Sequence, residues 1–228
     1  MPIDNLLNES FNINQEKLNK MDNEYNNIKI GIMGGTFDPI HYAHLATAEF
    51  IRDSYKLDKI LFIPCGDPPH KKHKVTDNYD RYNMVLLSTV NNENFIVSDI
   101  EIKRNEKTYT IDTLKYLKEK YKNSEIYFIT GADAICDIET WKDVEGNFKL
   151  AKFIAATRPG ISLLKYNEKI KELKDKYRAN IENVYVPSLD ISSTYIREQL
   201  YKNKTIRYLV PDLVKEYIYN KQLYSSGE

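Results

Sequence analysis

The sequence predicts an α/β protein, and three observations carry that prediction. From residue 28 onward, short and nearly continuous apolar runs alternate with stretches of helical period. Such runs fit strands covered on both faces, and strands separated by helices pair in parallel through right-handed crossovers. The length of 228 residues suits one large domain that buries its core without disulfide or metal staples. The expectation is one Rossmann-like domain over 28–228, a doubly wound, mainly parallel sheet with helices on both faces.

Residues 1–27 are unlike the rest: eight Asn, no Gly and scattered apolar positions. Leu7, Phe11, Leu18 and Met21 make one weak helical stripe, so the segment reads as a polar extension, mobile or weakly helical. Residues 28–33 form the first strand, ending at Gly34-Gly35, and 43–55 the first helix of the domain. A second buried strand covers 59–64, and a helix 79–90. Residues 95–103 read as extended, with Ile96, Ser98, Ile100 and Ile102 partly alternating. A helix over 110–121 puts Ile111, Leu114 and Leu117 on one face. Strands follow at 125–130, 152–157 and 183–186, with helices near 165–177, 193–202 and 211–220.

The charge balance is even, 33 basic against 33 acidic side chains. That excludes a broad polyanion surface, and with it a general nucleic-acid binder. No apolar run approaches the roughly 18 residues of a membrane span, and the N-terminus lacks a signal-peptide layout, so the expected location is cytoplasmic. Cys65 and Cys136 sit far apart in no metal or redox spacing and read as free thiols. Lysine is abundant, at 26 residues, whereas there are seven arginines and eight glycines. Each Arg or Gly therefore tells more than a Lys. Self-association into a homo-oligomer stays open.

In an open parallel sheet, ligands bind beyond the carboxyl ends of the strands. The segments to inspect are 34–44, 64–74, 131–133, 158–160 and 187–197. After the first strand, Gly34 and Gly35 let the backbone turn sharply and approach a ligand. The run is neither G-x-G-x-x-G nor a P-loop. A helix beginning near 41 or 42 places His41 and His44 three apart on its first turn, beside amides that favour an anion. No third ligand lies nearby in sequence, which makes zinc a poor reading. After the last strand, Ser192, Ser193 and Thr194 can each cap a helix. No Glu or Gln closes a capping box there, leaving amides and hydroxyls for an anion, with Arg197 one turn in.

These two runs, from Gly34 to His44 and from Ile191 to Arg197, resemble the G-x-F-D-P-x-H-x-G-H and I-S-S-T-x-I-R signatures of the nucleotidyltransferase superfamily. Ala43 stands where the pattern prefers Gly. Four further features resemble the bacterial nicotinate-nucleotide adenylyltransferase family. They are Pro68-Pro69-His70-Lys71, Thr108-Tyr109-Thr110-Ile111-Asp112-Thr113-Leu114, Gly131-Ala132-Asp133 followed by Trp141, and Ala156-Thr157-Arg158-Pro159-Gly160. The likeness covers residues 28–224.

The resemblance implies adenylyl transfer from ATP to nicotinate mononucleotide, giving deamido-NAD and pyrophosphate by in-line displacement without a covalent intermediate. Mg²⁺ would arrive with ATP rather than in a protein cage. It implies catalytic roles for His41, His44 and Arg197. ATP would be held by Gly34, Gly35, Thr36, Phe37, Gly131, Asp133, Arg158, Ser192, Ser193 and Thr194 as well. Thr108, Tyr109 and Trp141 would seat the pyridine ring and Lys71 its phosphate. A pantetheine-phosphate adenylyltransferase and a non-catalytic nucleotide-binding regulator on the same fold remain the alternatives. An oxidoreductase is disfavoured by the missing G-x-G-x-x-G.

Overall fold

A computed structural model describes residues 2–24, 27–67, 75–104, 106–157, 163–187 and 189–225. Six parallel strands form one sheet: β1 (Lys29–Gly35), β2 (Lys59–Pro64), β3 (Phe95–Val97), β4 (Glu125–Gly131), β5 (Lys152–Thr157) and β6 (Ile181–Tyr185). Their order across the sheet is β3-β2-β1-β4-β5-β6, every neighbouring pair parallel. The order reverses between β1 and β4, so the crevice for a ligand opens beyond Gly35 and Gly131.

Side chains alternate across the sheet and build a core on each face. Ile30, Ile32, Leu61, Ile63, Ile126, Phe128 and Phe153 face one way. Met33, Ile60, Phe62, Tyr127, Ile129 and Ile154 face the other. Helices α2 (Tyr42–Tyr55), α3 (Asn78–Thr89), α8 (Ser193–Tyr201) and α9 (Asp212–Asn220) cover the second face. Helices α4 (Thr110–Lys120), α5 (Ala132–Cys136), α6 (Val144–Leu150) and α7 (Leu163–Tyr177) cover the first. Short α5 and α6, with a 3-10 turn at Ile138–Thr140 between them, occupy a stretch where the sequence pattern assigns no helix.

The extended stretch expected over 95–103 ends at Val97. Beyond it the chain turns, with the Lys103 N–H donating to the Asp99 carbonyl and Arg104 N–H to that of Glu101. The apolar alternation of Ile100 and Ile102 is real burial, but in a turn that aims Glu101 inward to accept from Thr113 Oγ1 at 2.7 Å.

Of the two readings left open for residues 1–27, the structure has a helix, α1 (Ile3–Glu24). The stripe that faces the protein is largely the one the apolar pattern suggests: Leu7 and Leu18 pack against the core and Met21 is fully buried. Phe11 alone departs from it, being exposed, and polar Ser10 and Asn14 are buried as well. Asn14 donates from Nδ2 to the Val97 carbonyl at 3.0 Å, and its Oδ1 accepts from the Val97 N–H at 2.8 Å. Lys17 Nζ donates to the carbonyls of Val90, Asn92 and Phe95. At the far end Asp22 accepts from Tyr121 Oη at 2.6 Å and pairs with Lys120. The inward face mixes these polar contacts with apolar ones from Leu6, Leu7, Leu18 and Met21, which weakens the apolar period without erasing it.

Candidate active site

The strand ends at the reversal point enclose a cleft in two compartments. One, of about 520 Å³, lies between the β1–α2 junction, the start of α5 and the N-terminus of α8. It is lined by Gly34, Gly35, Phe37, His41, His44, Gly131, Asp133, Ser192, Ser193, Thr194 and Arg197. The other, of about 290 Å³, lies on the opposite side of the β1 end and is lined by Thr36, Glu101, Thr108, Tyr109, Trp141 and Lys142. Gly34, Gly35, Thr130 and Ala134 border both. Thr36, grouped at the sequence level with the nucleotide residues, lies in the second compartment. Lys71 and Arg158 lie outside the described residues.

The first junction is built around Phe37, whose φ of 51° is the left-handed region that bulky residues avoid. Its buried ring folds back over Gly35, where a Cβ would come within 3.1 Å of it. The same ring meets His44 edge-on at 5.2 Å. His41 is the N-cap of α2, with extended backbone at φ −149° and ψ 170°. The His41 N–H donates to His44 Nδ1 at 3.3 Å, and the two rings stack at 3.7 Å. Burial lowers the His41 pKa to about 4. Burial, and then the neighbouring His41, push His44 well below the ordinary imidazole value.

Both rings are therefore neutral near pH 7. With Nδ1 of His44 accepting, its proton sits on Nε2, so His44 offers an N–H donor rather than a charge. Nδ1 of His41 is buried and lacks a hydrogen-bond partner among the described residues.

The last junction is more tied down than its sequence suggests. Ser192 is the N-cap of α8, its Oγ accepting from the Tyr195 N–H at 3.1 Å. Ser193 Oγ donates to the Pro39 carbonyl at 2.9 Å, and Arg197 Nη1 to the Asp38 carbonyl at 2.7 Å. Thr194 Oγ1 accepts from Arg197 Nη2 at 3.4 Å. The hydroxyl proton of Ser193 is thus committed to the protein, and what α8 has to offer an anion is its first-turn amides and the rest of the Arg197 fork.

In the second compartment Tyr109 is the N-cap of α4, and its side chain makes no capping hydrogen bond. Trp141 stands edge-on to Phe128 at 5.9 Å, half-buried, with part of its indole left to the cleft. Lys142 Nζ lies 4.4 Å from the centre of the Tyr109 ring and pairs with Asp112 at 3.1 Å. Glu101 forms part of the floor. Burial raises its pKa, and the Thr113 hydroxyl opposes that rise. A Cβ on Gly66 would strike the Glu101 carbonyl oxygen at 2.5 Å, so glycine is required there for backbone contact.

Sequence reasoning missed Lys142 and Glu101, and it missed Arg81. Arg81 is fully buried and donates to the carbonyls of Thr36 (2.7 Å), Gly66 (3.0 Å) and Thr76 (2.9 Å). It ties the loops after β1 and β2 to the start of α3. The rarity of arginine in this chain was the one available signal. Among the described residues no cluster of three or more His, Cys, Asp or Glu has metal-binding geometry. No described helix is long and apolar enough to cross a membrane.

Comparison with known proteins agrees with this geometry. The cytidylyltransferase-like family matches residues 32–199. A protein of Thermoanaerobacter sp. strain X514, named a probable nicotinate-nucleotide adenylyltransferase, is 50% identical over 203 residues, covering 88% of this chain and 96% of its own. One of the same name from Moorella thermoacetica is 50% identical over 198 residues, covering 86% and 91%. Among solved structures, the Plasmodium falciparum nicotinic acid mononucleotide adenylyltransferase complexed with NaAD is 28% identical with a TM-score of 0.72, covering 88% of this chain and 98% of that one.

Proposed function

The chain belongs to the cytidylyltransferase-like family and, within it, to the nicotinate-nucleotide adenylyltransferases, and from that membership we propose that its divided cleft brings ATP and nicotinate mononucleotide together for adenylyl transfer. The products are deamido-NAD and pyrophosphate, a step of NAD biosynthesis. One observation carries the reading. Two chemically different compartments, one of imidazoles, helix N-termini and an arginine, the other of an indole and a helix N-terminus, meet over the same pair of glycines.

ATP occupies the larger compartment, its triphosphate between the N-termini of α2 and α8. Nicotinate mononucleotide occupies the smaller one, its pyridine ring against Trp141 and its carboxylate toward the open amides of α4 near Thr108 and Tyr109. Lys142 adds positive charge on that side. The phosphate of the acceptor crosses Gly34 and Gly35 to attack the α-phosphorus in line. One P–O bond forms as the bond to pyrophosphate breaks. The nucleophile is already a phosphate anion, so no general base and no covalent enzyme intermediate are needed.

Catalysis then rests on positioning and on donors set where charge develops. His44 offers its Nε2–H, and His41 sits beside it at the α2 N-terminus. Arg197 and the α8 amides receive the departing pyrophosphate. Asp133 and Gly131 border the nucleotide, and the family likeness adds Arg158 there and Lys71 at the acceptor phosphate. The donor set on the phosphate side suits an anion more than a bare cation. Mg²⁺ would therefore enter held by ATP and water, where it offsets phosphate charge. The two cysteines are free thiols, in keeping with a cytoplasmic reaction.

The test is pyrophosphate release with ATP and Mg²⁺ and, in turn, nicotinate mononucleotide, its amide analogue and phosphopantetheine. Release is expected with the first acceptor in preference to the others. Release with phosphopantetheine alone would refute the acceptor. ATP binding without release from any acceptor would favour a regulator.

A further inference from the structure

The last described turn of the chain reaches back to the first strand end. Tyr224 Oη donates to Asp38 Oδ1 at 2.6 Å, across 186 residues of sequence. Asp38 is 3% exposed. Its own carbonyl accepts from Arg197 Nη1, and the carbonyl of the next residue, Pro39, accepts from Ser193 Oγ. One short loop is thus gripped by the C-terminal segment on one side and by α8 on the other. The base of the grip is firm: the Leu223 N–H donates to the Ile218 carbonyl at the end of α9, and Tyr217 on that helix donates to Asp80 of α3 at 2.6 Å.

We infer that Tyr224 is a positioning residue for Arg197, holding the Asp38 carboxylate away from the guanidinium so that its fork stays aimed at the departing pyrophosphate. The inference rests on the role given to Arg197 above. A buried carboxylate requires a donor. Tyr224 supplies one, and burial together with Asp38 keeps that hydroxyl protonated by raising its pKa well above the ordinary value. A cleft of about 410 Å³, bordered by Asp38, Thr194, Arg197 and Tyr224, leaves room for movement. Remove the hydroxyl, and Arg197, already bound to the Asp38 backbone carbonyl, is a charged donor at hand for the carboxylate. The arginine would then be drawn off the phosphates.

Tyr224→Phe removes the hydroxyl and keeps the ring. In the full chain it should raise KM for ATP and the inhibition constant of pyrophosphate about tenfold, the size of stranding one buried charged group. KM for nicotinate mononucleotide should not move, and the melting temperature should stay within about 2 °C. Adding Asp38→Asn removes the charge that pulls on Arg197, so Tyr224→Phe should cost nothing further in that background. Calorimetric binding of Mg-pyrophosphate reads the same effect without turnover. A wild-type chain that releases no pyrophosphate would sink the proposed reaction while this binding measurement still judges Tyr224. Unchanged pyrophosphate binding in Tyr224→Phe, full additivity in the double variant, or equal losses toward both substrates with a collapsed melting temperature would each overturn the assignment.

Discussion

The guanidinium of Arg81, wholly buried, donates from Nη1 to the carbonyl oxygen of Thr36 at 2.7 Å, and so sets the peptide that leads out of β1 into the cleft. A peptide N–H points opposite to its carbonyl, so anchoring that oxygen in the protein turns the Phe37 amide the other way. The Gly66 carbonyl is held by the same group at 3.0 Å. Lysine keeps the charge and loses the fork. Arg81→Lys is therefore expected to lower unfolding free energy by about 2 kcal/mol or more, from carbonyls left without donors. kcat/KM should fall by about tenfold with it. A variant with native stability in urea and native kcat/KM would show that the fork is dispensable.

His44→Ala removes the Nε2 donor and the stacking partner of His41. Turnover should drop by at least about 10²-fold, the usual size for one transition-state donor. The fold should persist, because His44 lines the cleft and keeps part of its surface exposed there. Near-normal kcat in a folded His44→Ala protein would remove His44 from the mechanism.

The neutral histidines predict an acid-labile fold. His41 titrates near 4 when folded, against an ordinary 6.5. The unfolded chain binds the extra proton between those values, so stability is full above about pH 6.5 and declines as pH falls toward 4. For His41 alone the loss is about 2 kcal/mol by pH 5. Urea unfolding of wild type and His41→Asn at pH 7.5 and pH 5 reads it together with the part of the His44 shift that His41 causes, while more distant groups cancel in the difference. A wild-type-minus-variant difference that does not change between the two pH values would contradict the buried neutral state. Saturating ATP, by offering negative charge, should flatten the wild-type curve.

Gly34 and Gly66 are glycines for different reasons. A Cβ at Gly34 would meet only the Phe128 ring, at an ordinary 3.7 Å, yet it would stand in the passage between the compartments. Gly34→Ala should leave the melting temperature unchanged, or raise it slightly through the unfolded state. Turnover should fall at least about tenfold, since displacements near 1 Å at a reacting centre are costly. Loss of stability with kcat per folded molecule intact would reverse that interpretation.

Much of this was legible in the sequence where the chemistry is local. His41 and His44 share one helical turn, and Ser192 to Arg197 another, so spacing alone puts each group at a strand-to-helix junction. The sheet was legible because both of its faces are buried, which leaves uninterrupted apolar runs. What stayed hidden depends on distant pairing. Arg81 acts on Thr36, and Tyr224 on Asp38, across 45 and 186 residues. Lys142 carries the residue type that composition makes least informative. Helix α1 was legible only faintly, because Ser10, Asn14 and Lys17 share its inward face with Leu7, Leu18 and Met21.

Asn14 also decides where the sheet stops. Its amide gives Val97 one donor and one acceptor, the pair that an adjoining strand would supply, so a helix impersonates the seventh strand. The β3 border is thereby closed to recruitment of another chain, a border that would otherwise template edge-to-edge growth. Any assembly of several copies built by extending the sheet would have to start at β6, on the opposite side of the molecule.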